Sequence, residues 1–436
     1  MGTKAGNADR EALIHLLRSE KTPAEAAQEL GRSRSWSYKW RNRYEREGWA
    51  GLKELSRTPH HVTRKTSDKM RKAVLRVRSE LEAEAQQPDR LGYIGARTIR
   101  SRLKNQRLTM LPGISTIERI LRQAGVTKPR QAQPAKKVQY PQIQVASVHQ
   151  LTQMDIVPHY LEGGTSIYCF NAIDVVSRFP GGKAYANKAT AEALDFLVHI
   201  WREVGISEFS QVDNESCFSG GYKHPAVIGR VARLMLFVGT QPIFSPFYNP
   251  ESNGFVERFH QDYSGFVWNK VHLHDLPDVR KRSALFFSQY RNSQHHSELG
   301  GKSPKAIHFQ TPIRKLPLGF VLPLKLPLTE GRIHFMRAVQ SDRQVLILNK
   351  LWLVERAEPD QGVWATLFLT PKDAKLRIYD AAPSAHIRHC LVEHPFPLKE
   401  PVTLLLPAFQ FANQQLFGSR IQSLLRRPVP ALSTMS

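Results

Sequence analysis

Residues 245–261 read SPFYNPESNGFVERFHQ. Pro246 and Pro250 end a preceding apolar run and shape the approach to the next element. Asn253 and Gly254 suit a tight backbone turn into a helix. Glu257 then falls in the first helical turn, flanked by apolar Val256 and Phe255. A lone acid there usually serves only the helix dipole. Asn253, His260 and Gln261 stand at i−4, i+3 and i+4 from Glu257 and share its face. The question is what that face looks towards.

Upstream of this stretch lie short apolar runs of β character: LTQMDIV at 151–157, SIYCFNAIDVV at 166–176, KAYAN at 183–187, FSQVD at 209–213 and QPIFSPF at 241–247. The first three follow one another closely, as in an antiparallel meander. Helical stretches, AEALDFLVHIWREVG and AVIGRVARLMLFVG, separate the later ones and suit parallel crossovers. The expected core is α/β with a mixed five-stranded sheet, the RNase H-like pattern. In that order the first and fourth strands are neighbours at the centre of the sheet. Asp155, inside the first strand, and Asp213, ending the fourth, would project together, and the final helix could bring Glu257 beside them.

An aspartate in an apolar strand is costly to bury unless it is paired or binds a cation. Three carboxylates in one cleft favour hard divalent ions, Mg²⁺ with Mn²⁺ as a substitute. Two such ions, roughly 3.5–4 Å apart, can serve an in-line phosphoryl displacement. Taken singly, each acid has a plainer reading as a turn cap or dipole partner. Asp174, which ends the second strand, is a rival fourth acid, for which pairing with Arg178 is the structural alternative. No serine elbow or paired cysteine–histidine motif competes.

The chain of 436 residues carries a formal charge of +24. Residues 1–140 contribute +17 of it. Such an excess of base points to a polyanion, above all nucleic acid. No apolar run of 18 residues appears, and the opening residues do not read as a secretory signal, so no membrane association and a cytoplasmic, nucleoid-associated location are expected. The three cysteines, Cys169, Cys217 and Cys390, form no CxxC pair, and none lies early enough for an N-terminal zinc module.

Within the basic third, TPAE at 22–25 is a capping box with proline at the first helical position. Ser33 caps a further helix, RSWSYKWRNRYERE, whose Trp36, Trp40 and Tyr44 form a core stripe at i, i+4 and i+8. Arg34, Ser35, Tyr38, Arg41 and Asn42 face outward. A short helix, a glycine turn and a basic helix are the parts of a helix-turn-helix. A three-helix protein-binding module is the alternative. Residues 66–126 look like a second unit of this build, with Ser115 and Glu118 as another capping box. The expected organisation is a helix-turn-helix domain at 8–56, a second at 66–126, an extended linker at 127–147, the catalytic core at 148–273 and a helical extension at 274–310. A small β-barrel at 330–382 and a partly ordered tail at 384–436 complete it.

Asp155, the Asp–Asn pair at 213–214 and SPFYNPESNGFVERFHQ resemble the integrase-type DDE transposases, the superfamily of retroviral integrases and bacterial insertion-sequence transposases. Residues 22–60 resemble the helix-turn-helix of the bacterial members. The resemblance implies that Asp155, Asp213 and Glu257 are catalytic metal ligands for two Mg²⁺ ions. Water first frees a 3′-hydroxyl at an element end, and that hydroxyl then attacks target DNA. It implies double-stranded DNA as partner, at least a dimer in the synapse, and room for helper or targeting proteins. The outward residues of the basic helix, with Asn253, His260 and Gln261, become candidate DNA contacts, His260 also reading as a plain surface residue. Glu215 departs from the family's usual glycine, and 43 residues separate Asp213 from Glu257, more than in the retroviral enzymes. A catalytically silent, domesticated transposase or DNA-binding regulator is the alternative, and an RNase H-like nuclease without strand transfer a third.

Overall fold

The computed structural model describes residues 5–53, 66–106, 111–127, 138–220, 225–247 and 250–410. The link at 56–66, most of the basic run at 128–137, the centre of the loop around 216–227, Tyr248 and Asn249 of the opening stretch, and the tail beyond 410 therefore lie wholly or largely outside the described residues. The chain forms two compact units, residues 1–67 and 68–436.

The first unit contains α1 (Ala5–Arg18), α2 (Pro23–Glu29) and α3 (Arg34–Glu47), followed by a 3-10 turn at Gly48–Leu52. Thr22 caps α2, and Glu25 closes the capping box. Ser33 caps α3. Leu13, Ile14, Ala26, Trp40 and Leu52 form the core, with Trp36 and Tyr44 packed against it. Ser37 is fully buried, and its hydroxyl donates to the Pro23 carbonyl at 2.8 Å, which fixes how α3 crosses α2.

The second unit begins with α4 (Asp68–Gln86), α5 (Ala96–Asn105) and α6 (Ile114–Gln123). Val74, Val77, Ile99, Leu103, Ile117 and Leu121 close a small core between them. The Ser115 capping box does not form. The helix starts at Ile114 behind an extended Gly113, so Ser115 already lies inside the first turn. The end of α4 and the loop after it are bound to the rest of the unit: Lys270 Nζ donates to the carbonyls of Ala85 and Arg90 at 2.7 and 2.8 Å, and the Tyr93 hydroxyl to Asp262 at 3.0 Å.

The core follows as β1 (Leu151–Tyr160), β2 (Ser166–Asp174), β3 (Pro180–Tyr185), α7 (Thr190–Glu203), β4 (Phe209–Val212), α8 (Ser216–Ser219), α9 (Arg230–Phe237), β5 (Gln241–Phe244), α10 (Gly254–Val267), α11 (Leu276–Asn292) and α12 (Pro304–His308). The strands β1, β2 and β3 are an antiparallel meander, and β4 and β5 add in parallel on the other side of β1. Both faces are covered, and the strands alternate between them. Phe170 and Ala172 of β2 join the core formed with α7 and α9. Ile167, Cys169 and Ile173 face α10 and α11, where Val256, Phe259, Tyr263 and Phe286 are buried.

The small barrel expected at 330–382 takes another form. After β6 (Leu328–Thr329), the strands β7 (Gly331–Ala338), β10 (Gly362–Leu369), β11 (Ala374–Tyr379) and β12 (Cys390–Pro395) continue the core sheet outward from β5. The result is nine strands in the order β12-β11-β10-β7-β5-β4-β1-β2-β3. The physical reason lies in β7, whose middle residues are buried on both faces, as in an interior strand. Phe335 stacks on Phe244, while His334 bonds to Gln241 on one side and Thr366 on the other. A separate hairpin, β8 (Gln344–Ile347) and β9 (Lys350–Leu353), stands off the sheet, and β13 (Val402–Thr403) pairs with β6. Part of the stretch expected as a tail is thus strand. The described end of the linker, residues 138–147, is seated rather than free: Tyr140, Ile143 and Val145 pack on the sheet, and Trp364 Nε1 donates to the Pro141 carbonyl at 2.7 Å.

Candidate active site

Strands β1 and β4 pair with Leu151 opposite Phe209, Thr152 opposite Ser210 and Gln153 opposite Gln211. Continued by two residues, that register sets Asp155 beside Asp213. Both then share the face of Gln153 and Gln211, the face that α10 covers. Glu257 sits in the first turn of α10. All three carboxylates are half-buried at one edge of an otherwise buried layer.

Their electrostatics agree with that placement. Burial pushes the Asp155 carboxyl up to about 7, and the charges of Asp213, Glu257 and Glu215 push the same way, against an opposing hydrogen bond from the Ile156 amide. Asp213 is raised to about 6, again chiefly by burial. An N–H from Glu215 lowers it, the Glu215 carboxylate raises it, and Lys188 offsets part of that. Glu215 itself, the residue that departs from the family pattern, forms an ion pair with Lys188 at 2.9 Å. A cluster of acids that repel one another and are only partly solvated is the environment that a bound cation relieves. The donor set is all carboxylate oxygen, which fits Mg²⁺ or Mn²⁺.

The other expected residues divide. Asn253 is 5 % exposed and donates to the Met154 carbonyl at 3.3 Å, so it serves the seat of α10 rather than an outer surface. His260 is also buried, with Nδ1 3.5 Å from Asp155 Oδ2, and burial holds it neutral, its pKa lowered to about 3. Gln261 is exposed and accepts from Arg258 at 2.9 Å. Gly254 has an ordinary helical backbone with open space where a Cβ would lie, so the turn does not depend on it. In the first unit Arg34, Ser35, Tyr38 and Asn42 are exposed and Arg41 partly so. Arg41 pairs with Glu45 at 3.2 Å.

Asp174 does not pair with Arg178. Its carboxylate accepts from the His149 and Ser177 amides at 2.8 and 2.7 Å and from the Ser177 hydroxyl. Arg178 turns instead to Glu298. With His308, these residues form a buried His–Asp–His group. The His308 nitrogens are already engaged by Ser177 and the Val204 carbonyl, at 2.9 and 2.8 Å, so the group acts as a lock between the end of β2, α7 and α12.

Two contributors have no counterpart among the residues expected from sequence. Arg337, on β7, is buried, donates to the Ser245 carbonyl and to Asn214 Oδ1, both at 2.9 Å, and so fixes the loop that follows Asp213. The second is the pair Gln153 and Gln211, and a signal for it exists. Each active-site strand reads Gln–x–Asp, QMD at 153–155 and QVD at 211–213.

Comparison with known proteins finds matches to two stretches of the chain. Residues 10–72 match the winged helix-turn-helix family, and residues 238–304 match the integrase core domain family. The two matches fall on the basic helical unit and on the stretch from β5 through the helix of Glu257. A putative integrase, ORF3 of Spiroplasma virus SpV1-C74, is 27 % identical over 184 residues, 38 % of this chain and 47 % of its own length. The chain therefore spans about half the length of that curated relative. Among solved structures, the catalytic core domain of BIV integrase is 17 % identical, with a TM-score of 0.29, over 37 % of this chain and 95 % of its own. The HTLV-2 integrase catalytic core in complex with magnesium is 11 % identical, with a TM-score of 0.30, over 38 % and 99 %.

Proposed function

We propose that the protein is a transposase that cleaves phosphodiester bonds at DNA element ends and joins the freed 3′-hydroxyls to target DNA. The observation that supports this reading is the register of β1 and β4, which runs on from Gln153 opposite Gln211 towards Asp155 and Asp213, while the first turn of α10 carries Glu257, whose charge acts on Asp155. Asp155, Asp213 and Glu257 would hold two Mg²⁺ or Mn²⁺ ions, which supply Lewis acidity to the phosphate oxygens and the attacking oxygen. The chain's own part is to gather three carboxylates on rigid elements and to place neutral His260 against Asp155 without adding charge. The first unit, basic and capped as a helix-turn-helix, would grip the terminal repeats through Arg34, Ser35, Tyr38, Arg41 and Asn42. Synapsis of two ends asks for at least two protomers.

The test is Asp155→Asn, Asp213→Asn and Glu257→Gln, assayed on DNA bearing the repeats that flank the gene. Each should abolish Mg²⁺-dependent cleavage and strand transfer while retaining binding to those ends. Full activity in any one of them removes that residue from the site. Binding without cleavage by the unaltered protein would favour the regulator reading instead.

A further inference from the structure

The residue at the capping position of the helix that carries Glu257 does not cap it with its side chain. The first N–H groups of any helix lack partners within it and need an acceptor from outside. Asn253, at the capping position, makes no side-chain cap bond and is turned to Met154. The acceptor comes from β1. Gln153 Oε1 receives the N–H of Phe255 at 3.1 Å and that of Val256 at 3.4 Å. These are the second and third residues of the helix, the positions an N-cap side chain ordinarily serves.

The same amide faces the other way as well. Gln153 Nε2 donates to Gln211 Oε1 at 3.2 Å and to the Ser252 carbonyl at 3.1 Å. Gln211 Nε2 donates to Ser252 O at 2.9 Å and to the Ser245 hydroxyl at 3.0 Å. Both side chains are almost wholly buried, at 3 % and 1 % exposure. Two glutamines in an apolar layer are costly unless their bonds are made, and here both amide groups are engaged. The pair joins three pieces: the strand of Asp155, the strand of Asp213 and the entrance of the helix of Glu257. Each glutamine lies two residues from its aspartate, so the clamp and the carboxylates share one face one step apart along the strands.

We infer that Gln153 and Gln211 are positioning residues of the active site, with Gln153 acting as a cap donated in trans by β1 that sets the height and rotation of Glu257 over Asp155 and Asp213. This rests on the metal role proposed above for the three carboxylates. Groups that orient metal ligands typically matter 10- to 100-fold for metal affinity.

The experiment uses the full chain and two readouts: Mn²⁺ binding by calorimetry, and hydrogen exchange of the backbone amides at 255–256. Gln153→Met should speed exchange at those amides at least about tenfold, as a lost cap frees the first turn, and should weaken Mn²⁺ binding by roughly 10- to 100-fold. Gln153→Glu, which keeps the acceptor oxygen, should keep the slow exchange. If Gln153→Met does not fold, Gln211→Met carries the test, with a smaller change in the same direction. Exchange and Mn²⁺ binding unchanged in Gln153→Met, or in Gln211→Met where that variant stands in, would overturn the inference. Asp155→Asn is the control for the underlying reading. If it binds Mn²⁺ as the unaltered protein does, the metal role falls, and the exchange readout still decides the clamp.

Discussion

Replacing Asp155 by asparagine should make this protein more stable at pH 8 in the absence of divalent ions, although it should destroy activity. Asp155 is held at about 7 instead of near 3.8, by burial first and by Asp213 and Glu257 next. A carboxyl raised in the folded state supports stability fully below about pH 4, and that support is lost as the pH rises through 7. The full difference corresponds to about 4 kcal/mol. Its side chain keeps 22 % exposure, and the substitute amide must also be accommodated. A gain of about 1–3 kcal/mol is therefore expected at pH 8, a rise of several degrees in melting temperature. The assay is thermal unfolding of both proteins from pH 5 to pH 8 with a chelator present. The gap between them should close towards pH 5, where the carboxyl is protonated in the parent. Added Mg²⁺ should raise the parent and leave the variant nearly unmoved. A variant no more stable than the parent at pH 8, or a gap that ignores pH, would refute the reasoning.

Other outcomes are as open to measurement. Arg34→Ala or Arg41→Ala should weaken DNA binding and reduce the slope of log affinity against log salt by about 1 each; an unchanged slope in a filter or fluorescence titration removes them from the interface. Trp40→Ala empties the core of the first unit, where Arg10 lies 3.9 Å over the ring, and should cost about 3–5 kcal/mol, read as loss of DNA binding while the catalytic unit still melts normally. Arg337→Met removes the guanidinium donor to Asn214 Oδ1 and one of two donors to the Ser245 carbonyl, which keeps the Asn214 amide, and should cost about 1–3 kcal/mol together with a drop in cleavage, checked by melting and turnover.

Much of the core was legible because its signals are local or periodic. Alternating apolar residues mark β2 on both faces, and the Thr22 and Ser33 caps follow from side-chain chemistry within three residues. The order of strands and crossovers then placed Asp155 near Asp213 by topology alone. What escaped depends on partners far away in sequence. The period of β7 is the same whether it closes a barrel or extends a sheet, and only its pairing with β5 decides. Ser115 satisfies a capping pattern that the chain pre-empts by starting the helix at Ile114. Asn253 and His260 share a helical face with Glu257, as spacing required, but spacing cannot say that the face turns inward. Glutamines are common on surfaces, so the repeated Gln–x–Asp pattern does not by itself say that Gln153 and Gln211 meet, and their bond spans 58 residues of chain.

The continuity between β5 and β7 has a practical and an evolutionary side. A fragment cut after the carboxylate helix, such as 148–273, would leave β5 as a naked edge and remove Arg337 from behind Asn214. Such an edge is a template for pairing with other chains. A shortened copy of the gene would therefore yield a protein inclined to aggregate, not a smaller enzyme. Decay of the distal coding sequence should disturb the loop after Asp213 along with the sheet edge.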